Sequence, residues 1–227
     1  MTQTAEKKSR ITIPVLISVI GFIIMKILIK SGIAGDHISS NSYLWFQAIL
    51  YIFLGGFAIY AFRDDFKEGI GEWKAHPVKS LLWVLGTFVA YYIVEIAAAL
   101  PMYLLYPDYE SINDNSTVLA AEALPMVVGV LALGILGPVT EEAFFRFFGI
   151  KKLSGIIPVW LCILISSVAF GFMHVKAFTV PEFLYYLPTI AAAAVWGIAL
   201  NKSRNITIPL IMHIMINLPA VVVLYLS

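Results

Sequence analysis

Long apolar runs follow one another along the whole chain, separated by short polar segments. Seven of these runs approach the roughly 20 residues that a helix needs to cross a bilayer. They are Ile11–Ile29, Tyr43–Phe62, Leu81–Tyr106, Ala123–Ile150, Ile156–Val175, Phe183–Leu200 and Ile206–Leu226. A helix satisfies its own backbone hydrogen bonds, which lipid cannot do. The pattern therefore predicts an all-α, polytopic membrane bundle of about seven transmembrane helices.

The composition points to lipid as the surroundings of most side chains. Hydrophobic residues make up 60% of the 227 residues and charged residues 13%, whereas soluble domains contain about 45–50% and about 25%. This balance excludes an ordinary soluble enzyme and makes the lipid bilayer an expected partner. The formal net charge of +1 gives no surplus for binding a polyanion, so no nucleic-acid partner is expected. Cys162 is the single cysteine of the sequence, so no disulfide can form within the chain.

Basic residues in the loops predict how the chain is oriented. Eleven Lys and Arg residues fall in the N-terminal segment and in every second loop, against about two in the other loops. The eleven are Lys7, Lys8, Arg10, Arg63, Lys67, Lys74, Lys79, Lys151, Lys152, Lys202 and Arg204. Because cytoplasmic loops retain positive charge, the N-terminus is predicted to be cytoplasmic and the C-terminus to lie outside.

No repeat or linker divides the chain, so residues 1–227 are predicted to form a single membrane domain. The largest polar insert, Arg63–Ser80, is predicted to lie along the membrane surface, with Trp73 as an interfacial anchor. Small residues in the sixth run, Ala191–Ala194 and Gly197, would allow neighbouring helices to pack closely.

Ionisable residues inside apolar helices are costly, so each one marks a candidate functional site. Glu142 and Arg146 are four residues apart on one helix face and can form an ion pair that offsets their burial. Glu141 points about 100° away and has no such partner in the motif, which suits a general base. Gly137–Pro138 should break or restart the helix, and Thr140 would cap the new turn. For this segment alone, a structural ion pair is the more common explanation.

Two histidines lie in apolar runs, each with a partner one turn away. Phe170 and His174 share one face of the fifth run, whereas His213 and Asn217 share one face of the seventh. The latter spacing can aim two donors at one oxygen. Taken singly, each pair is also compatible with a hydrogen-bonded contact between helices.

The rise of a helix predicts the depth of these groups in the bilayer. At 1.5 Å per residue, Glu141 and His174 lie on the order of 20–25 Å from the cytoplasmic ends of their helices, and His213 and Asn217 roughly 12–18 Å. The four side chains should therefore converge in the inner part of the bilayer, with a mismatch of one or two turns.

Three motifs thus occur in order on separate helices. They are Glu141-Glu142-x-x-x-Arg146, Phe170-x-x-x-His174 and His213-x-x-x-Asn217. This ordered set resembles the CPBP family of intramembrane proteases, also called the Abi or CAAX prenyl protease family. The resemblance covers roughly Pro125 to Leu226 and makes residues 123–227 the expected catalytic core.

The resemblance implies an endopeptidase that hydrolyses a peptide bond of a membrane-associated protein or peptide. By this resemblance, Glu141 would activate the attacking water together with His174. His213 and Asn217 would stabilise the oxyanion. The ion pair formed by the second glutamate and the arginine of the first motif would hold the glutamate pair in place.

A metal-dependent mechanism is the main alternative. Glu141, His174 and His213 could form a three-ligand zinc site with water in the fourth position, and the family has been described as metalloproteases. These residues lack the paired spacing of a His-Glu-x-x-His motif, and the family also resembles metal-free glutamate proteases. The sequence therefore leaves zinc open and favours the metal-free mechanism.

The substrate is less defined than the chemistry. The family's eukaryotic members process prenylated CAAX proteins, whereas its bacterial members, which this compact chain resembles more, are associated with peptide processing and bacteriocin self-immunity. We therefore expect a protein of a bacterial plasma membrane. Seven predicted runs rather than eight are the main departure from the prenyl protease pattern. Two other classes stay open: a non-catalytic membrane scaffold or immunity protein, and a small transporter whose proton relay would include Glu95.

Overall fold

The computed structural model describes residues 11–30 and 40–226, and these residues form nine helices and no β-strand. The helices are α1 (Ile13–Lys30), α2 (Ser40–Ala61), α3 (Arg63–Ala75), α4 (Pro77–Leu105), α5 (Ile112–Ala123), α6 (Met126–Gly155), α7 (Val159–His174), α8 (Val180–Ser203) and α9 (Thr207–Leu226). A turn at Tyr186 interrupts α8. The N-terminal residues used to predict the orientation, Lys7, Lys8 and Arg10, lie outside the described residues.

The predicted all-α membrane bundle is confirmed. Five helices of the described chain, α2, α4, α6, α8 and α9, are long and apolar enough to span a membrane. The first and fifth predicted runs correspond to α1 and α7, which are apolar but have fewer than 18 residues in their apolar parts. All seven predicted apolar runs are therefore helical, and two of them are short for a spanning segment. The protein is an integral membrane protein.

The polar insert forms helix α3, which lies against one end of the bundle. Asp65 on its buried face accepts charged hydrogen bonds from Lys152 at 2.8 Å and contacts Lys151 at 3.1 Å. Trp73 was predicted to anchor the insert in the membrane interface. Its half-buried indole N–H donates to the Oγ1 of Thr207 at 2.8 Å, so Trp73 ties α3 to the first turn of α9. Its place in the membrane interface stays a prediction.

Helix α6 is wider than a regular α-helix on both sides of its central segment. The π-helical stretches Val130–Leu136 and Ala143–Lys152 flank the α-helical turn Gly137–Glu142. Pro138 has no backbone N–H to donate, yet the helix continues through it. Ser166 of α7 compensates part of the altered bonding, because its Oγ donates to the carbonyl of Phe145 at 2.8 Å.

The predicted helix restart at Thr140 is wrong. The Thr140 Oγ1 donates back to the carbonyl of Leu136, four residues earlier, at 2.6 Å, so it is not an N-cap. The π-helical widening accommodates the proline within one continuous helix, and a restart is not required. Widened turns of this kind are frequent at functional sites.

Close helix contacts at glycine hold α6 in place. A Cβ atom on Gly55 of α2 would lie 2.7 Å from the carbonyl oxygen of Leu136. A Cβ on Gly197 of α8 would lie 3.0 Å from Ile150 and 3.1 Å from Ile163. The small residues of the sixth run therefore pack as predicted, with α8 against α6 and α7.

Candidate active site

The centre of the site is a buried charge cluster on α6 and α9. Glu142 and Arg146 are both 0% exposed, and the Arg146 Nη1 lies 3.1 Å from the Glu142 Oε1. The same carboxylate oxygen accepts from the Nδ1 of His213 at 3.0 Å. One carboxylate thus links the Arg of its own helix to a histidine 71 residues away.

The positive charge of Arg146 is balanced by one carboxylate and by the faces of two aromatic rings. Its guanidinium lies 4.3 Å from the ring centroid of Phe170 and 5.2 Å from that of Trp196. None of its N–H groups makes an aligned hydrogen bond within the described residues, so the contact with Glu142 is a charge contact. Cation–π attraction from Phe170 and Trp196 contributes to holding the guanidinium in this dry site.

The second glutamate of the pair faces the same histidine from the other side. The Glu141 Oε2 lies 3.7 Å from the Nε2 of His213, which is beyond direct hydrogen-bond distance. Its other oxygen, Oε1, accepts from the Nζ of Lys26 at 3.1 Å. The same ammonium group donates to the Oη of Tyr51 at 2.6 Å.

The expectation that Glu141 has no charged partner is therefore wrong. Its partner is Lys26 of α1, which is 115 residues away in the sequence. The sequence carried a signal for this partner, because Lys26 is a cation inside an apolar run and such residues are functional candidates. The sequence alone does not show which carboxylate pairs with Lys26.

His174 lies at the C-terminal end of α7, half-buried. Its Nδ1 is 2.9 Å from the carbonyl of Phe170, one turn earlier. A carbonyl can only accept, so the Nδ1 carries the hydrogen and the Nε2 of the neutral ring is an acceptor. The ring stacks on Tyr186 with centroids 5.9 Å apart. His174 is also close enough to Glu141 and Lys26 to interact with their charges.

Asn217 is one turn beyond His213 on α9 and is half-buried. Within residues 11–30 and 40–226, the side chain of Asn217 makes no hydrogen bond to the charge cluster. The helical spacing places its amide on the His213 face, as predicted. Its part in the site stays a prediction.

The predicted depth mismatch between α6 and α9 is not observed. His213 lies 3.0 Å from Glu142 and 3.7 Å from Glu141, so the two helices bring these side chains to a similar level. The mismatch came from applying a regular α-helical rise to α6. A π-helical stretch advances less per residue than an α-helix, so the widened Ala143–Lys152 segment brings the glutamates nearer to the level of His213.

A polar cluster closes the end of the site beyond His174. Glu182 is fully buried and accepts from the backbone N–H of Lys176 at 3.0 Å and from the hydroxyl of Tyr109. Burial and the Glu182 carboxylate raise the pKa of Tyr109, so the phenol is the donor. Ser111 and Tyr186 share a hydrogen bond of 2.5 Å, which likewise joins the α4–α5 loop to α8.

The predicted sixth run begins at Phe183, so Glu182 was not among the candidate site residues. A local signal for its place in a first helical turn exists: Thr179 precedes it by three residues, which is the spacing of a capping box. The Thr179 Oγ1 accepts from the Glu182 N–H at 3.4 Å at the start of α8.

The arrangement does not fit a three-ligand metal site. In the described part of the chain, no group of three His, Cys, Asp or Glu side chains is arranged to hold a metal ion. The ammonium group of Lys26 occupies one oxygen of Glu141, where a second cation would be repelled. The zinc ligand set Glu141, His174 and His213 is therefore not supported by the geometry, and no step below is assigned to a metal.

An apolar groove of about 830 Å³ runs between α4 and α8. Its lining residues are Val78, Lys79, Leu82, Trp83, Gly86, Thr87, Ala90, Val195, Ile198 and Ala199. Tyr91 and Trp196, whose rings stack, follow the lining residues Ala90 and Val195 in the sequence, and the Trp196 ring centroid lies 4.9 Å from that of His213. Helix α8 thus carries residues that line the groove and, at Trp196, a buried ring that contacts the charge cluster.

Comparisons with known proteins gave one family match and one similar protein. Residues 123–219 match the family described as type II CAAX prenyl endopeptidase Rce1-like. The chain is 26% identical over 156 residues to YdiL of Bacillus subtilis (strain 168), a protein provisionally named as a membrane peptidase. The aligned segment covers 68% of this chain and 58% of that relative, so the chain spans less than two thirds of the relative's length. No solved structure gives a significant match.

Proposed function

We propose that the protein is an intramembrane endopeptidase in which Glu141 activates water. The match of residues 123–219 to a CPBP-type protease family supports this proposal. The observation that carries the proposal is the convergence on His213 of both glutamates, at 3.0 Å and 3.7 Å, inside a buried cluster. Burying this many ionisable groups in an apolar bundle is costly, so a structure that keeps them together favours a chemical role.

In the proposed first step, a water molecule binds between Glu141 and His174. The Glu141 carboxylate takes one proton as the water oxygen forms a bond to the carbonyl carbon of the substrate. The water's second hydrogen is donated to the bare Nε2 of His174, which the Nδ1–H bond to Phe170 leaves as an acceptor. The electron pair of the C=O bond moves onto the carbonyl oxygen.

His213 and Asn217 are proposed to stabilise this oxyanion. The Nδ1–H of His213 donates to Glu142, which fixes the ring and aims the Nε2 away from that carboxylate. The Nε2 can donate only when the ring carries both hydrogens, so the proposed step requires that form of His213. The Asn217 amide would supply a second, neutral donor from one turn further on.

Collapse of the tetrahedral intermediate completes the proposed reaction. The proton held by Glu141 passes to the leaving nitrogen, the C–N bond breaks, and the C=O bond forms again. Glu141 returns to its carboxylate form, so one residue serves as base and then as acid. Glu142 and Arg146 are proposed to orient His213 and to take no proton themselves.

The proposed substrate is a membrane-associated protein or peptide. The α4–α8 groove is apolar, so it would accommodate an apolar segment of such a substrate along the helix that carries Trp196. CAAX-type processing and bacteriocin self-immunity are the two proposed settings. We propose that the protein resides in a bacterial plasma membrane with its N-terminus in the cytoplasm.

A comparison of membrane peptides from cells that express the wild type or Glu141→Gln tests the function. The substitution keeps the shape of the side chain and removes the base, so we expect peptides produced by the wild type to be absent from the variant. Mass spectrometry detects the peptides, and thermal unfolding in detergent checks that the variant is folded.

The outcome separates the protease from the alternatives. A non-catalytic scaffold or immunity protein would retain its phenotype in Glu141→Gln and yield the same membrane peptides as the wild type. A proton-coupled transporter would show flux in proteoliposomes without any peptide cleavage. In the structure, Glu95 interacts with Tyr91 of its own helix.

A further inference from the structure

Lys26 brings a positive charge to the site from a part of the chain that the family match does not cover. The match begins at residue 123, whereas Lys26 lies on α1. Its ammonium group is 3.1 Å from the Glu141 Oε1 and 2.6 Å from the Tyr51 Oη. Its side chain is 20% exposed, against 8% for Glu141.

The packing of α1 against α6 does not depend on this ion pair. Phe22, one turn before Lys26, stacks on Phe144 with ring centroids 4.4 Å apart and meets Phe145 edge-on at 5.7 Å. These aromatic contacts already fix α1 beside the glutamates. An apolar residue at position 26 would therefore be compatible with the helix packing, and the presence of a lysine needs another reason.

Charge balance in the site supplies that reason. Glu142 is paired with Arg146, and Glu141 is paired with Lys26. A buried carboxylate without a cation is strongly disfavoured and takes up a proton instead. A protonated Glu141 would be unable to accept a proton from water, so the ammonium group preserves the state that the reaction starts from.

We infer that Lys26 is a positioning residue for Glu141, which it holds, together with Tyr51, by one carboxylate oxygen so that the other oxygen faces His213 and the reacting water. This inference rests on the proposed function. Lys26 binds the Oε1 of Glu141. The Oε2 lies 3.7 Å from the Nε2 of His213 and is the oxygen that would take the proton from water.

The same ammonium group also balances charge during the reaction. When Glu141 takes the proton, Lys26 loses its counter-ion at the moment when the carbonyl oxygen becomes negative. The total charge of the site is unchanged by this transfer, because the proton moves within the site. A fixed cation therefore favours the transition state without any rearrangement of its own.

The test compares Lys26→Met with Lys26→Arg, Tyr51→Phe and a remote control. Methionine keeps most of the apolar stem and removes the charge, whereas arginine keeps the charge. Lys202→Met removes one exposed positive charge from the far end of α8. The activity probe is the peptide whose cleavage by the wild type is lost in Glu141→Gln, synthesised with a fluorophore and a quencher.

We expect kcat to fall about 100-fold in Lys26→Met, the scale of a disabled general base, with KM within about twofold. Lys26→Arg should recover most of the loss, Tyr51→Phe should lower kcat by a smaller factor, and Lys202→Met should behave as the wild type. A wild-type kcat in Lys26→Met would overturn the inference. An equal fall of kcat in Lys26→Met and Lys26→Arg would also overturn it, because that result would mean that the shape of the Lys26 side chain matters and its charge does not.

An infrared measurement tests the inference without any substrate. The carboxylate band of Glu141 is identified by its loss in Glu141→Gln. We expect this band in the wild type and in Lys26→Arg, and its replacement by a protonated carboxyl band in Lys26→Met at neutral pH. An unchanged carboxylate band in Lys26→Met would refute the role of Lys26, whereas absence of peptide cleavage by the wild type would refute the proposed function instead.

Discussion

At the scale of single residues, the site is a chain of charges that each depend on the next. Arg146 balances Glu142, which accepts from His213, which faces Glu141, which is held by Lys26. Each group is buried or nearly so, and the interaction between charges is stronger in such surroundings than in water. Removal of one of these groups therefore leaves its neighbour buried without that partner, which destabilises the fold.

Arg146→Met is predicted to destabilise the fold because it removes the fully buried guanidinium that balances the charge of Glu142. The expected loss is about 3–5 kcal/mol, the scale for one partner removed from a buried pair. Denaturant unfolding in detergent micelles measures it. The double variant Glu142→Gln, Arg146→Met is the matched control, and it should be closer to the wild type than the single variant is. An unchanged midpoint for Arg146→Met would contradict the prediction.

The sequence predicted the Glu142–Arg146 ion pair of the candidate site but not the cation that pairs with Glu141. The spacing of Glu142 and Arg146 on one helix is sufficient to predict their ion pair, because neighbours four apart must share a face. The pairing of Lys26 with Glu141 depends on how two remote helices pack. No periodicity within either helix carries that information, so the pairing required the structure.

At the scale of the elements, α2 and α6 approach each other more closely than side chains normally permit. Gly55 makes this possible beside the widened turn of α6 that ends at Leu136. Tyr51 lies one turn before Gly55 on the same helix and contacts Lys26. The glycine therefore sets the distance between the helix that carries Tyr51 and the helix that carries Glu141.

Gly55→Ala is predicted to destabilise the protein by about 1–3 kcal/mol, the scale of overpacking, and to reduce activity. The added Cβ would lie 2.7 Å from both the Cβ and the carbonyl oxygen of Leu136, and backbone cannot move aside as a flexible side chain can. Gly56→Ala is the control, because a Cβ there meets nothing within 4 Å. Thermal unfolding in detergent should separate the two variants, and equal midpoints would argue against the tight α2–α6 contact.

The number and extent of the helices followed from hydropathy, but the shape of α6 did not. An apolar run of about 28 residues predicts one spanning helix, and Met126–Gly155 is that helix. Its π-helical turns depend on Pro138, on the hydroxyl of Ser166 from α7 and on the packing around them. Such tertiary compensation is not encoded in the local pattern, which is why the depth of the glutamates was misjudged.

At the scale of the whole molecule, the two ends of the bundle differ in chemistry. The loops predicted to be cytoplasmic meet at one end, where Lys151 and Lys152 bind α3 and the Asn205 amide donates to the carbonyl of Gly69 at 3.2 Å. The opposite end carries the buried Glu182 cluster next to His174. The alternation of basic loops in the sequence thus agrees with the grouping of the same loops in space.

This grouping predicts which end faces the cytoplasm. In a Cys162→Ser background, which removes the single native thiol, we place one cysteine at exposed Ser154, in the last turn of α6, or at exposed Asp108, between α4 and α5. Because positive loops are retained inside, a membrane-impermeant maleimide should label Asp108→Cys in intact cells and Ser154→Cys only in inverted vesicles. Labelling of Ser154→Cys in intact cells would reverse the orientation and place the Glu182 cluster next to His174 on the cytoplasmic side.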